Sequence, residues 1–123
     1  MDESILLSIK KVLALDPENT DFDVDILMHI NSVLAVLQQL SIGPDDGFYI
    51  DDSSVTWADY LGEDFKHVAM IKSYVAAKVR LMFDPPVSSA VMQSLEHICS
   101  EFEWRANVAA ENHSLEKEKE VAE

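Results

Sequence analysis

The sequence is poor in the residues that most catalytic and metal-binding sites require. Its three glycines form neither a nucleotide-binding fingerprint nor a phosphate-binding loop. The single cysteine, Cys99, excludes an internal disulfide, and we expect it to be a small buried apolar side chain rather than a nucleophile. The histidines stand too far apart for a structural zinc site: His29, His67, His97 and His113. We therefore predict no catalytic residue, no metal and no other cofactor, and we do not expect an enzyme.

Long hydrophobic runs are also absent. No stretch approaches the ~20 apolar residues that a membrane-spanning helix needs, and Lys10 and Lys11 interrupt the first apolar segment. Acidic residues precede that segment, whereas a secretory signal places basic residues there. We expect no contact with a membrane, and a location in a reducing cytoplasm or in something assembled there.

Basic residues are missing from a long central part of the chain. The whole sequence has 23 acidic and 9 basic residues, which gives a net charge of −14. Residues 12–65 contain twelve of the acidic residues and no lysine or arginine. This balance disfavours binding to nucleic-acid phosphates or anionic lipid through charge. Two interpretations of the acidic block remain: solvated loops and helix caps, or a surface that repels another polyanion or meets a basic partner.

Apolar residues recur with a helical period in four segments, which predicts an all-α fold, a small bundle of four main helices. The predicted helices span residues 2–15, residues from the caps at 19–23 to Gly43-Pro44, residues 63–83, and residues from Ser88 or Ser89 to 110. The first and third end at Asp16-Pro17 and Asp84-Pro85, because proline disfavours helical geometry in the residue before it.

The third predicted helix is apolar on two sides. One strip includes Val75 and Val79, and a narrower strip includes Ile71, Tyr74 and Leu81. A helix of this kind is either central in its bundle or shared between subunits.

Trp104 stands apart from the apolar stripe of the fourth helix. It lies about 200° around the helix from Phe102, at ~100° per residue. Two roles are open for it, an anchor at an interface or packing against the long loop. Apolar surface that remains after one small bundle has closed usually marks an interface.

Residues 43–62 form the longest predicted non-helical segment, and its aromatic residues are expected to pin it to the core. Thr56 and Asp59 have the spacing of a capping box. This spacing predicts one short helical turn over residues 57–61, closed by Gly62.

The composition changes after residue 110, where glutamate and lysine alternate over residues 116–120 without an apolar face. We therefore expect two parts. Residues 1–110 form a helical domain, and residues 111–123 form a charged C-terminal tail that is a frayed helix or a disordered end in isolation and extended or helical when docked.

Several patches follow one another in a characteristic order along residues 1–110. They are residues 25–33, Gly43-Pro44, Gly47-Phe48, and residues 57–62, 71–81, 83–86 and 101–107. In this order the chain resembles the small helical head–tail connector proteins of long-tailed bacteriophages, also called adaptors or head-completion proteins. No catalytic signature accompanies the resemblance.

The resemblance implies a structural virion protein that acts in genome packaging and DNA ejection. Its protomers would form a homo-oligomeric ring, about twelvefold, under the portal vertex of the capsid. One face would contact the portal protein and the other a stopper or tail-completion protein. DNA would pass through the channel without specific binding. The location would be the head–tail interface of the virion, after assembly in the host cytoplasm.

Two groups of residues are candidates for these contacts. The candidate portal or subunit interface comprises Tyr74, Glu103, Trp104, Arg105 and Asn107. The candidate channel-facing loop comprises the acidic residues Asp45, Asp46, Asp51 and Asp52, which would keep DNA phosphates from binding through like charge. The C-terminal segment is expected to engage the portal.

A second function class stays open at this point. An acidic helical binding module could mimic DNA or regulate a nucleic-acid-binding protein. The net charge agrees with this alternative, whereas the order of motifs does not require it.

Overall fold

The computed structural model describes the backbone of residues 3–122 and the side chains of residues 3–109. Five helices follow one another: α1 (Ile5–Val12), α2 (Asp23–Gln39), α3 (Trp57–Leu61), α4 (Val68–Phe83) and α5 (Ser89–Ala122). No β-strand forms within residues 3–122. The predicted all-α class is therefore confirmed, with four main helices and one short helix in the loop between α2 and α4.

The end of α1 differs from the prediction. The helix begins after Ser4, whose hydroxyl accepts the N–H of Leu7 at 3.2 Å. It ends at Val12, well before Asp16-Pro17, because Ala14 adopts a left-handed conformation (φ 60°). The N–H of the next residue, Leu15, then bonds back to the carbonyl of Lys10 at 2.9 Å. This is the Schellman arrangement, with alanine in the position that glycine usually takes.

The end of α2 has the same geometry. Ser41 is left-handed (φ 67°), and the N–H of Ile42 bonds to the carbonyl of Leu37 at 2.9 Å. Gly43, predicted to terminate the helix, comes too late to do so. Its backbone (φ 88°) instead passes against Tyr60, where a Cβ atom would lie 2.5 Å from the ring.

The predicted starts of α3 and α5 are correct, and that of α4 is not. Thr56 and Asp59 form the predicted capping box of α3. The Ser88 hydroxyl accepts the N–H of Val91 at 3.4 Å at the start of α5. In contrast, α4 begins at Val68 rather than at residue 63, because residues 63–67 form turns after Gly62.

Helix α5 continues without interruption to Ala122. The backbone is thus helical through the boundary that the sequence suggests near residue 110. The side chains of the predicted tail, residues 111–123, lie outside the described residues.

Helix α4 is the centre of the bundle, and it contacts α1, α2 and α5. Its two predicted apolar strips are buried in part. Ile71, Val75 and Val79 lie in the core and Tyr74 stacks against α5, whereas Met82 is exposed and Leu81 is half-buried. Phe83 at the end of α4 meets Phe22 at the start of α2, with ring centroids 5.7 Å apart, so the two helices run antiparallel. The central position predicted for this helix follows from its two strips.

Buried polar contacts hold the two long connections in place. Lys10 is 1 % exposed, and its Nζ donates to the Pro17 and Asn19 carbonyls and pairs with Asp23 Oδ1 at 2.8 Å. The Asn31 side chain exchanges two hydrogen bonds, 2.7 and 2.9 Å, with the backbone of Ile50. The Lys10 contacts hold the α1–α2 connection against α1, and the Asn31 contacts hold the loop that follows α2 against that helix.

Trp57 fixes the same loop from its other end. Its indole Nε1 donates to Ser8 Oγ at 2.9 Å, and both residues are buried. The Phe48 and Tyr60 rings pack 5.0 Å apart. Burial raises the pKa of the Tyr60 hydroxyl. Phe48, Trp57 and Tyr60 therefore pin residues 43–62 to the core, as predicted, whereas the Tyr49 ring is exposed.

Glycine at the two left-handed helix ends should stabilise the protein. An alanine or serine in the left-handed conformation costs about 1–2 kcal/mol. Glycine avoids this cost but lowers the free energy of unfolding by roughly 0.4–1 kcal/mol, because it gives the unfolded chain more conformational freedom. We expect Ala14→Gly and Ser41→Gly each to raise the free energy of unfolding by about 0.5–1 kcal/mol in urea titrations. The matched control Ala35→Gly, at an exposed position inside α2, should lower it by a similar amount. Equal losses in all three variants would contradict this account of the helix ends.

Candidate interaction surface

One face of α4 is left open by the bundle. A groove of about 520 Å³ runs along it, bounded by α5 and by Val12 at the end of α1. The floor consists of small side chains on successive turns of α4, Ala69, Ser73, Ala76 and Ala77. Apolar walls of this kind over a floor of small residues allow a partner to approach the backbone closely.

A second, smaller groove of about 190 Å³ continues from the first on the other side of Ser73 and Ile98. It is lined in part by Met70, Phe102 and Arg105. The two grooves are therefore adjacent parts of one apolar surface between α4 and α5.

The charge of the larger groove is opposite to that of the protein. Lys72 and Arg80 line it, and no acidic residue does. Lys72 pairs with Glu3 and holds the pKa of that carboxyl below its usual value. No acidic side chain of residues 3–109 lies within 4 Å of the Arg80 guanidinium. The groove thus offers apolar surface with basic charge at its edge.

The predicted interface residues Tyr74 and Glu103 are brought together by the fold. The Tyr74 hydroxyl donates to Glu103 Oε1 at 2.9 Å, and Lys78 Nζ lies 3.0 Å from the same oxygen. The Tyr74 ring stacks on Phe102 at 4.3 Å and is 1 % exposed. Burial, together with the Glu103 carboxylate, raises the pKa of Tyr74. Tyr74 is therefore a core residue that supports Glu103, and the surface role predicted for its ring is corrected.

The remaining predicted interface residues are exposed on α5, with Arg105 at the edge of the smaller groove. Trp104 is 67 % exposed and points away from the α4 side, so the alternative that it packs against the loop is wrong. Arg105 pairs with Glu101 one turn earlier at 2.6 Å, and Asn107 is exposed. Cys99, on the α4 side, is 2 % exposed, as predicted, and burial raises the pKa of its thiol.

The four acidic loop residues are all exposed. Asp45 and Asp46 precede the buried anchor Ile50, and Asp51 and Asp52 follow it. Two hydrogen bonds from Ser54 lower the pKa of Asp52. The loop therefore displays its carboxylates outward from a fixed attachment point.

Sequence patterns revealed the groove residues only in part. Ala69 and Ala76 belong to the broader apolar strip of the predicted helix, with Lys72 at its margin. Periodicity did not indicate that Ser73 and Arg80 continue this side of α4, or that the bundle leaves it partly open.

Comparison with known proteins agrees with this picture of an interaction protein. A family model for phage connector proteins matches residues 5–113. The chain belongs to the phage connector protein family. Connector proteins have a structural role at the head–tail junction of the virion and interact with other head or tail proteins. The match favours the connector interpretation over the acidic binding module.

No curated protein and no solved structure matches the chain significantly. Among the described residues of this connector, no helix is both long and apolar enough to span a bilayer. Within the same residues, no three His, Cys, Asp or Glu side chains cluster as metal ligands.

Glu103 and Glu101 provide a test of how the α4–α5 face is held. Glu103→Ala removes the acceptor of buried Tyr74 and the partner of Lys78, so we expect a loss of about 1–3 kcal/mol in the free energy of unfolding. Glu101→Ala removes only exposed ion pairs with His97 and Arg105 and should change stability by less than about 1 kcal/mol. Urea titrations measure both. Equal effects would show that the Tyr74–Glu103 contact does not stabilise the connector.

Proposed function

We propose that this connector forms a ring that joins the capsid portal to a stopper or tail-completion protein and surrounds the DNA channel. The family match over residues 5–113 carries the proposal. The exposed apolar surface supports it, since an isolated small bundle has no need of it. Large exposed apolar side chains include Val24, Met28, Tyr49, Ile98 and Trp104.

The portal contact is assigned to the outer surface of α5. Trp104 and Arg105 are the residue types that dominate the energetics of protein interfaces, and Glu103 and Asn107 flank them. Tyr74 acts from the interior by holding Glu103. The helix continues to Ala122, and the charged segment 111–123 would complete this contact, with residues 1–110 as the body of the protomer.

The DNA channel is assigned to the acidic loop. Asp45, Asp46, Asp51 and Asp52 are exposed on a segment whose anchors are buried. Carboxylates facing the duplex repel its phosphates, so DNA can pass without binding. Because the anchors fix the loop, this charge stays in place during packaging and ejection.

Trp104→Ala tests the portal contact. We expect affinity for the portal protein to fall by roughly 30-fold, equivalent to ~2 kcal/mol, while the urea midpoint of the free protein stays nearly unchanged because the side chain is exposed. Surface plasmon resonance on immobilised portal measures the affinity. Tyr49→Ala removes another exposed aromatic ring and is the matched control, with unchanged binding. A large loss of stability in Trp104→Ala, or equal binding by both variants, would contradict the assignment.

The acidic loop is tested in virions assembled with a variant connector. Replacing Asp45, Asp46, Asp51 and Asp52 with lysine should slow DNA ejection, because the loop then attracts phosphates. The control replaces Asp16, Glu18, Glu63 and Asp64, four exposed acidic residues elsewhere, and changes the net charge equally. Ejection kinetics that are the same in the loop variant, the control and the wild type would exclude the loop from the channel.

A further inference from the structure

Helix α2 carries an unpartnered apolar ridge on the side away from the core. Val24 and Met28 are 72 % and 64 % exposed, and exposed Ala35 lies further along the same side of the helix, beyond Asn31, whose side chain is bonded to the following loop. Asp21 and Asp25 are exposed at the N-terminal end of this ridge. The ridge, defined as Val24, Met28, Ala35, Asp21 and Asp25, is therefore a convex apolar strip with negative charge at one end.

The groove on α4 has the complementary properties. It is concave and apolar, with a floor of alanine side chains, and its charged lining residues are Lys72 and Arg80. Its volume of about 520 Å³ accommodates several aliphatic side chains. Shape and charge thus match between two surfaces of the same protein.

The two surfaces cannot meet within one protomer. The core side of α2 packs against the α4 residues Ile71, Val75 and Val79, while the ridge points to the opposite side. The centre of the groove lies on another face of α4, more than a quarter turn from the centre of that core strip at ~100° per residue. Ridge and groove are therefore free in the same molecule at the same time.

We infer that the α2 ridge of one protomer docks into the α4 groove of a second copy. Met28 and Val24 enter the groove above Ala69 and Ser73, and Asp21 and Asp25 approach Arg80, since Lys72 is already paired with Glu3. A contact between two grooves would bring the two Arg80 side chains together, and a contact between two ridges would bring the aspartates together. Charge complementarity therefore favours contact between the ridge of one copy and the groove of another.

Such a contact is heterologous, so it propagates from copy to copy and closes into a ring where the rotation permits. The inference rests on the proposed ring and deepens it by naming the two surfaces between subunits. It leaves the outer face of α5 with Trp104 free for the portal.

A mixing experiment tests the pairing directly. Met28→Asp disables the ridge and Ser73→Arg obstructs the groove, and both positions are exposed, so the fold should persist. Without portal, each variant alone should stay monomeric from about 1 μM to 1 mM, whereas wild type forms larger assemblies. The 1:1 mixture should stop at dimers, because only one ridge and one groove remain competent. Sedimentation velocity distinguishes these states, and Val87→Asp is an exposed control that should assemble like wild type.

Charge reversal provides the second arm. Asp25→Lys and Arg80→Glu should each weaken self-association by roughly tenfold, and the double variant should recover most of the loss. A wild type that stays monomeric with and without portal, a mixture without dimers, or a ridge variant that assembles normally would overturn the inference.

Portal binding, measured on the same samples, separates this inference from the proposed function. If wild type binds portal but assembles regardless of ridge and groove, the inference fails and the function stands. If assembly depends on both surfaces but portal is not bound, the inference stands and the proposed function fails.

Discussion

The structure depends on one helix that packs against three others. Helix α4 buries Ile71, Val75 and Val79 in the core and stacks Tyr74 against α5, while its first half also contacts α1. With only five helices, none remains to cover its last face. The open groove is therefore a consequence of the topology, and its alanine floor keeps that face from exposing large apolar side chains. Helix α4 is thus central in the protomer, and its open groove is available for contact with another protein.

Specific buried polar contacts hold the connections between the helices in place around α4. Buried Lys10 gathers the α1–α2 connection, Asn31 holds the backbone of Ile50, and Trp57 bonds to Ser8. Leaving any of these groups unpaired in the interior would cost about 1–3 kcal/mol. The connections between helices are thus as well specified as the helices themselves. In this connector the acidic loop is therefore attached to the bundle at fixed positions.

Much of the fold could be predicted from the sequence, because helical periodicity and capping are local signals. The α3 capping box, the start of α5 and the exposure of Trp104 all follow from residue spacing. The ends of α1 and α2 do not, since Ala14 and Ser41 adopt a conformation that tertiary contacts impose against their preference. The burial of Lys10 and the Tyr74–Glu103 contact could not be predicted for a related reason: the partners are distant in sequence or are backbone groups. The groove could not be predicted because periodicity does not show which part of an apolar strip the neighbouring helices leave uncovered.

The central claim is that copies of this connector assemble around an axis shared with the portal. Cryo-electron microscopy of the connector bound to its portal protein tests this most directly. The account predicts a closed ring coaxial with the portal, with α5 at the portal contact and the acidic loop facing the channel. Single copies bound away from the axis, or a ring whose lumen is lined by Lys72 and Arg80, would contradict it.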